Sequence, residues 1–320
     1  MPTGATEIQW LRLRARGLVF DTLAAGPLTG EPVVLLHGFP QTAACWARVA
    51  EALAAAGYRV LAPDQRGYSP GARPGAVRAY RMPELVADVL ALAEAAGAAR
   101  FHLVGHDWGG AVAWALAGRH PERVATLTSV STPHPRAFAA ALLTGGQLLR
   151  SAYIGFFRIP RLPELTLGAR GSRGLRFLLA HSGLGPAWAE RYARALAEPG
   201  ALSAALAWYR AAVPFGMAVP RVPVPTRYVW GSGDPALGRR AATTTGRWVA
   251  GPYRLDVLEG AGHWLPEHHP EELAELLLEH LPRVLPQGRP TPAGAGPGVA
   301  APGRRVGNWT DRLHGGSCQR

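Results

Sequence analysis

The chain has 320 residues, with 34 Lys or Arg against 22 Asp or Glu, and a net charge of +12 at pH 7. This length allows a large core together with a second module, and no apolar run is long enough to span a bilayer. All 34 basic residues are arginine and are scattered along the chain, without an interleaved aromatic platform. We therefore expect no nucleic-acid binding in spite of the charge.

Residues 1–7 lack the basic stretch and the apolar block of a secretory signal, so we expect a cytoplasmic protein. The two cysteines, Cys45 and Cys318, are too few and too far apart in sequence to predict a disulfide framework. Cytoplasmic thiols would in any case stay reduced.

Strand-like and helix-like segments alternate through the first part of the chain. The first two segments predict an exposed antiparallel pair, Ile8–Arg14 and Leu18–Leu23. Further strand-like segments follow, and the continuous apolar runs among them are typical of strands covered on both faces. These segments are Val33–Leu36, Tyr58–Ala62, Phe101–Val104 and Val124–Val130. Helices are predicted between them, at Ala43–Ala56 and Met82–Ala96. This alternation indicates a mostly parallel sheet with helices on both faces.

The alternation stops between Ser131 and about Val219, where seven prolines separate short helical stretches rich in Leu, Phe, Tyr and Arg. We interpret residues 132–219 as a helical lid inserted between two parts of one core, 1–131 and 220–285. The second part of the core has predicted strands at Thr226–Trp230 and Tyr253–Leu258 and a helix at Pro270–His280.

The C-terminal segment has a different composition. Ten of the eighteen residues from Pro286 to Gly303 are Pro or Gly, and residues 286–320 carry five Arg against one Asp. Such a composition cannot bury a core, so we expect 286–320 to be a disordered tail.

The six residues GHDWGG, Gly105–Gly110, follow a predicted buried strand and precede a predicted buried helix, Ala111–Ala117. Small residues let the chain turn sharply here, as in the G-x-S-x-G nucleophile elbow of the α/β-hydrolase fold. Asp107 occupies the position of the serine, and a carboxylate is already a nucleophile at neutral pH. Its natural target is a saturated carbon that bears a leaving group.

The other two members of a triad follow in the order that this fold requires, nucleophile, acid and histidine. The strand Thr226–Trp230 leads into a GSGD turn that ends at Asp234, and Tyr253–Leu258 leads into a turn that ends at His263. Both residues follow the carboxyl ends of strands, where ligands gather in open α/β sheets. Taken alone, Asp234 is a typical turn former and His263 a typical loop histidine. The order and context of all three favour a catalytic triad.

The stretch HGFP, His37–Pro40, directly follows the predicted strand Val33–Leu36. In this fold one N–H of the oxyanion hole comes from this loop and the other from the residue after the nucleophile. Their positions therefore predict Phe39 and Trp108 as the two donors. The alternative is that the HGFP loop is only a tight turn, and a tight turn is compatible with the donor role. We also expect His37 and Pro40 to contact the substrate.

Taken together, HGFP, Asp64–Tyr68 (DQRGY), GHDWGG, GSGD and GHW resemble the epoxide hydrolases of the α/β-hydrolase superfamily. The resemblance covers roughly Ile8–Leu285. It implies two lid tyrosines that protonate the epoxide oxygen, and Tyr153 and Tyr209 lie in segments similar to those of the family. The alternative interpretation of Tyr153 and Tyr209 is that they are packing aromatics without a catalytic role. Two departures from the family are Arg158, where glutamine is frequent, and Ser69–Gly71.

The resemblance implies hydrolysis of an epoxide to a vicinal diol through a covalent ester on Asp107. The expected reactants are a small-molecule epoxide and water. We expect neither a metal nor an organic cofactor, and neither a nucleic acid nor a membrane as a partner. The oligomeric state is left open, and a homodimer is one possibility. Haloalkane dehalogenases are similar in the triad and Trp108, but Phe39 stands where they often carry an asparagine. Fluoroacetate dehalogenases carry arginines beside the nucleophile, which Trp108 and Ala111 do not supply. A serine esterase is not expected with aspartate in the elbow, and a complete triad argues against a non-catalytic binding protein.

Overall fold

A computed structural model describes residues 7–143, 146–212 and 219–282 of the chain. The chain divides into two units, Met1–Val284 and Leu285–Arg320, and every element described below belongs to the first. The predicted tail, 286–320, lies outside the described residues, and so does Cys318.

Eight strands form one sheet, in the spatial order β1-β2-β4-β3-β5-β6-β7-β8. The strands are β1 Gln9–Ala15, β2 Leu18–Ala25, β3 Pro32–Leu36, β4 Arg59–Pro63, β5 Phe101–His106, β6 Val124–Val130, β7 Thr226–Gly231 and β8 Tyr253–Leu258. β2 pairs antiparallel with β1 and β4, and all other neighbours are parallel. The predicted fold class, an α/β-hydrolase fold with a mostly parallel sheet, is confirmed.

The strand order places a topological switch between β3 and β5. After β3 the chain moves outward to β4 and then returns to the other side of β3 to form β5. Ligands of open α/β sheets bind at such a switch, beyond the carboxyl ends of the strands. The segment after β3 is HGFP and the segment after β5 contains Asp107, so both meet at this point.

Twelve α-helices lie in the described part of the chain. They are α1 Ala47–Ala55, α2 Met82–Ala95, α3 Trp108–Arg119, α4 Pro135–Leu142, α5 Gln147–Arg150, α6 Ala152–Arg158, α7 Leu162–His181, α8 Pro186–Leu196, α9 Ala201–Ala211, α10 Arg239–Thr244, α11 Leu265–His268 and α12 Pro270–His280. None of the helices in these ranges is both long enough and apolar enough to cross a membrane.

Most of the predicted elements are present, and β6, β8 and α12 have the predicted bounds. The predicted helix Ala43–Ala56 begins as a 3-10 turn, Ala43–Trp46, before α1. The sequence analysis missed α10, whose sequence RRAATT ends in threonines with low helix propensity.

Helices α4–α9 lie between β6 and β7, and we call residues 135–211 the helical insertion. Within it, α6 packs against α9, and α7 packs against α8. Its position agrees with the lid predicted at 132–219, and its action as a lid stays a prediction.

The strand and the helix on either side of the elbow, β5 and α3, are buried in the core. Every residue of β5 is buried, and so is every residue of α3 from Gly109 to Ala117. α3 packs on β5 and β6. Burial of apolar surface stabilises such packing by about 25 cal/mol per Å². The turn between β5 and α3 is therefore held on both sides by core.

Candidate active site

Asp107 lies on the sharp turn between β5 and α3, with φ 49° and ψ −121°. A residue with a side chain rarely adopts such a conformation, and strain of this kind is concentrated at functional sites. The turn is possible because a Cβ on Gly105 would collide with the Gly109 carbonyl, and a Cβ on Gly109 would collide with that of Leu36. The Asp107 carbonyl accepts hydrogen bonds from the Ala111 N–H at 3.1 Å and from the Thr132 hydroxyl at 2.8 Å.

The two carboxylate oxygens of Asp107 have different surroundings. Oδ1 accepts a hydrogen bond from the Phe39 N–H at 2.8 Å, and Oδ2 lies 3.7 Å from Nε2 of His263. Burial raises the pKa of Asp107, but the nearby His263 outweighs burial, and the net effect is a pKa below the usual range. Asp107 is therefore ionised at neutral pH, and its side chain keeps 17% of its surface exposed.

Asp234 and His263 form a buried pair next to Asp107. Nδ1 of His263 lies 2.8 Å from Oδ2 of Asp234. The other oxygen of Asp234 accepts hydrogen bonds from the N–H groups of Ala236 and Leu237, at 2.7 and 2.9 Å. The carboxylate is thereby fixed from three directions, and the imidazole presents Nε2 to Asp107.

The charge on His263 is set by the two aspartates. Burial lowers the pKa of His263, but the charge of Asp234 and the nearby carboxylate of Asp107 outweigh burial and raise it to about 10. His263 is therefore an imidazolium at neutral pH. Any reaction that removes the charge of Asp107 also removes one cause of this raised pKa.

Both predicted oxyanion donors lie beside Asp107. The Phe39 N–H already donates to the Asp107 carboxylate. Trp108 is the first residue of α3, so its N–H is one of those without a partner inside the helix. The donor role of Trp108 stays a prediction.

His37 and Pro40, the predicted substrate contacts, are buried in the same loop. Nε2 of His37 accepts a hydrogen bond from the Gln65 N–H at 3.0 Å, and Nδ1 lies 2.9 Å from the Gly38 carbonyl oxygen. Burial lowers the pKa of His37 to about 4, so the ring is neutral. This arrangement favours a supporting role for His37, and its contact with substrate stays a prediction.

Tyr153 and Tyr209 come from two helices of the insertion, α6 and α9, and their ring centroids are 6.3 Å apart. The Tyr209 ring packs edge-on against Phe39 at 5.3 Å and Trp108 at 5.1 Å, the residues of the two predicted oxyanion donors. Burial, followed by the charge of Asp107, raises the pKa of Tyr153 well above its ordinary value. Burial and the neighbouring Tyr153 do the same for Tyr209. Both side chains therefore keep their protons.

A buried polar network, which the sequence analysis missed, ties the site together. The amide oxygen of Gln41 accepts from the Gly38 N–H at 2.8 Å, and its nitrogen donates to Oε1 of Glu267 at 2.7 Å. Tyr192 of the insertion donates to the same oxygen at 2.6 Å. Gln41 adjoins HGFP in the sequence, which was a usable signal. Glu267 and Tyr192 join the network only through the fold.

His106 belongs to the same network. Nδ1 of His106 lies 2.7 Å from the Gln41 amide oxygen, and Nε2 lies 2.9 Å from the backbone oxygen of His263. The Ser131 hydroxyl donates to that same backbone oxygen at 2.9 Å. The backbone of His263 is therefore fixed from the elbow and from the end of β6.

A second stretch, Gly67–Gly71 (GYSPG), also fits G-x-S-x-G, so this motif by itself does not exclude a serine nucleophile. Ser69 is fully buried, and its hydroxyl oxygen accepts a hydrogen bond from the Asp21 N–H at 2.6 Å. It lies in the connection between β4 and α2, which is not a strand-to-helix elbow. The geometry thus leaves Asp107 as the elbow residue. Among the residues described, no group of three or more His, Cys, Asp or Glu is arranged to hold a metal ion.

Comparison with known proteins identifies the family. A family model described as the alpha/beta hydrolase fold matches residues 31–270. The chain is 36% identical over 276 residues to the AB hydrolase superfamily protein YfhM of Bacillus subtilis, over 84% of this chain and 96% of that protein. It is 33% identical over 297 residues to Epoxide hydrolase A of Mycobacterium tuberculosis, over 79% of this chain and 91% of that protein.

Solved structures agree with these matches. The crystal structure of Epoxide Hydrolase A from Mycobacterium thermoresistibile aligns with a TM-score of 0.75 at 28% identity, over 86% of this chain and 98% of that one. The matches thus span most of both chains, in sequence and in structure. The chain is a hydrolase that belongs to the α/β-hydrolase fold family, in the group that contains the epoxide hydrolases.

Proposed function

We propose that this protein hydrolyses an epoxide to a vicinal diol in two steps, through a covalent ester on Asp107. One observation carries the proposal. An ionised, strained aspartate adjoins the His263–Asp234 pair, and Tyr209, with Tyr153 next to it, packs against Phe39 and Trp108, the residues that flank this aspartate. The relatives named epoxide hydrolases support it.

In the first step, Oδ2 of Asp107 attacks an epoxide carbon. Oδ1 is engaged by the Phe39 N–H, whereas Oδ2 lies 3.7 Å from Nε2 of His263, beyond hydrogen-bond distance. As the O–C bond to Asp107 forms, the C–O bond of the ring breaks and its electron pair stays on the epoxide oxygen. No base is required for this attack, since the carboxylate is already ionised.

Tyr153 and Tyr209 protonate the departing oxygen. Their raised pKa keeps the phenol protons in place in the resting enzyme, and the alkoxide that develops is basic enough to take one. A proton donor that meets charge developing only in the transition state lowers the barrier without holding the substrate more tightly.

In the second step, water attacks the ester carbonyl of Asp107. Esterification removes the negative charge of Asp107, so the pKa of His263 falls, its proton replaces the one that the tyrosine lost, and the neutral ring can act as a base toward water. Asp234 holds the ring in place. The N–H groups of Phe39 and Trp108 stabilise the oxyanion, which collapses as His263 gives the proton taken from water to the leaving alkoxide. The diol departs, and the Asp107 carboxyl group returns its proton to His263, which restores the resting charges.

The haloalkane alternative needs a hydrogen-bond donor for a halide, and Trp108 would be that donor. Here the Trp108 ring packs edge-on against the Tyr209 ring, with 5.1 Å between the ring centroids. The Phe39 side chain offers no donor as a second halide ligand, whereas Tyr153 and Tyr209 offer two hydroxyl groups to an epoxide oxygen, and this favours epoxide chemistry. The cytoplasmic location, the homodimer and the lid action of the insertion remain predictions.

The test is a turnover screen of aryl and alkyl epoxides beside haloalkanes, in which diol and halide are measured. A single turnover in ¹⁸O-labelled water adds a test of the mechanism. If the ester forms, the first turnover leaves labelled oxygen in the Asp107 carboxylate, where peptide mass spectrometry locates it, and the diol carries an unlabelled oxygen from Asp107. Diol that carries the label directly, with unlabelled Asp107, would refute the covalent step.

A further inference from the structure

Two arginines connect the helices that carry the tyrosines. α6 begins close to Tyr153 and ends at Arg158, and α9 carries Tyr209 and Arg210 in its last turn. Each arginine reaches from its own helix to the end of the other. We call these contacts the paired braces.

Arg158 binds the carboxyl end of α9. Its Nη1 donates to the carbonyl oxygens of Tyr209 and Ala212, at 2.8 and 2.7 Å. The last carbonyls of a helix have no partner within it and carry partial negative charge. A guanidinium is therefore well suited to this position, and here one of the carbonyls that it holds belongs to Tyr209 itself.

Arg210 makes the reverse connection. Its Nη2 lies 3.1 Å from the carbonyl oxygen of Ile159, the residue that follows α6. Its two terminal nitrogens also donate to the carboxylate of Glu164 on α7, at 2.6 and 2.8 Å. The Arg210 and Glu164 side chains are 15% and 22% exposed, so solvent screens this bidentate pair less than a surface ion pair.

Between the two helices the contacts are aromatic. Phe157 packs against Tyr209 at 4.9 Å and against Tyr153 at 5.5 Å, measured between ring centroids. Aromatic packing resists compression but does not fix a distance closely, whereas hydrogen bonds to carbonyls do. The separation of the two phenol groups therefore depends on the braces.

We propose that Arg158, assisted by Arg210, is a positioning residue that holds α6 and α9 at the spacing at which Tyr153 and Tyr209 reach one substrate oxygen. This inference rests on the proposed function. It also assigns a role to the arginine found where the resembling family often has glutamine. A displacement of about 1 Å in a reacting group is enough to cost on the order of 10²-fold in rate.

The first experiment separates the two chemical steps. In single turnovers of the full chain, Arg158→Met should slow formation of the Asp107 ester by about 10-fold, because the tyrosines are displaced but not removed. Hydrolysis of the ester should stay within about twofold of the parent, and Arg158→Lys should restore part of the loss. In a Tyr209→Phe background the same change should cost less than about threefold, since the hydroxyl that it positions is gone.

The matched control is Arg176→Met, which breaks the pair between Arg176 on α7 and Glu190 on α8. This control should leave both steps unchanged. Equal slowing of both steps in Arg158→Met, or full additivity with Tyr209→Phe, would show that the brace only stabilises the insertion and would overturn the proposal.

A second measurement needs no turnover. In protein labelled with 3-fluorotyrosine, the Tyr153 and Tyr209 resonances, assigned from the Tyr→Phe variants, should shift in Arg158→Met and stay in place in Arg176→Met. Unmoved resonances in Arg158→Met would overturn the positioning role. If no epoxide alkylates Asp107, the proposed function fails, while the fluorine spectra still decide whether Arg158 positions the tyrosines.

Discussion

The variant His263→Gln should trap the covalent intermediate. In the first step the nucleophile is a carboxylate that is ionised without help, so the ester still forms. In the second step Nε2 of His263, 3.7 Å from Oδ2 of Asp107, is the nearest base to a water that attacks the ester. Glutamine cannot accept that proton, so the ester should accumulate.

The size of the effect follows from these roles. Loss of a positioned general base slows a step by about 10²–10⁴-fold, which corresponds to about 3–5 kcal/mol in the barrier. The variant should therefore give close to one equivalent of adduct on Asp107, followed by very slow release of diol. Intact-protein mass spectrometry with time measures the adduct, and peptide mapping assigns it.

The pH dependence of adduct formation gives an independent check. Asp107 must be ionised to attack, so alkylation is present above its pKa and is lost as the pH falls through it. In the parent, His263 outweighs burial and lowers this pKa. In His263→Gln burial is opposed only by His106 and the Phe39 N–H, so the pKa of Asp107 rises and the acid limb of the pH–rate profile should move to higher pH.

A control replaces a buried histidine outside the site. His102, on β5, contacts Thr126 and Glu31, and His102→Gln should change neither step. A fully active His263→Gln without an adduct would refute the assigned role. So would a loss confined to alkylation, or an acid limb that moves to lower pH.

The remaining predictions concern other parts of the site. Asp234→Asn should slow ester hydrolysis by about 10²–10⁴-fold and lower the pKa of His263. Single turnovers measure the rate and histidine NMR measures the pKa, and an unchanged pKa would contradict the pairing of Asp234 with His263. Tyr153→Phe and Tyr209→Phe should each slow alkylation on the order of 10²-fold without accumulation of ester, and parent rates in the double variant would remove the acid role. The Cβ of Gly109→Ala would collide with the carbonyls of Leu36 and His37, so this variant should lower the free energy of unfolding by at least about 1–3 kcal/mol. Thermal unfolding measures the change, and an unshifted Tm would contradict the close approach of Gly109 to the HGFP loop.

The sequence alone predicted the elements whose signal is local. The apolar runs of β3 and β6 and the pattern of α12 depend on the residues within each segment, and their bounds came out as predicted or within one residue. The order of Asp107, Asp234 and His263 is also a property of the chain itself. The helical insertion was recognisable because prolines break the alternation between β6 and β7.

Other features depend on contacts between distant residues. Gln41 and Glu267 are 226 positions apart, and only the docking of α11 beside the HGFP loop brings their side chains to 2.7 Å. The same is true of Arg158, whose carbonyl partners lie 51 and 54 positions further along. In sequence this arginine is only a departure from a family pattern, and the packing of α6 against α9 gives it partners.

Local patterns also leave side-chain environment undetermined. Ser69 fits a nucleophile motif as well as any residue in the chain, and burial against Asp21 is what separates it from Asp107. A motif specifies residue types at fixed spacing, whereas reactivity depends on exposure, backbone strain and neighbouring charge. The sequence thus determined the order of the candidate catalytic groups, and the tertiary structure decided the charges of Asp107 and His263, because charges act through space and not along the chain.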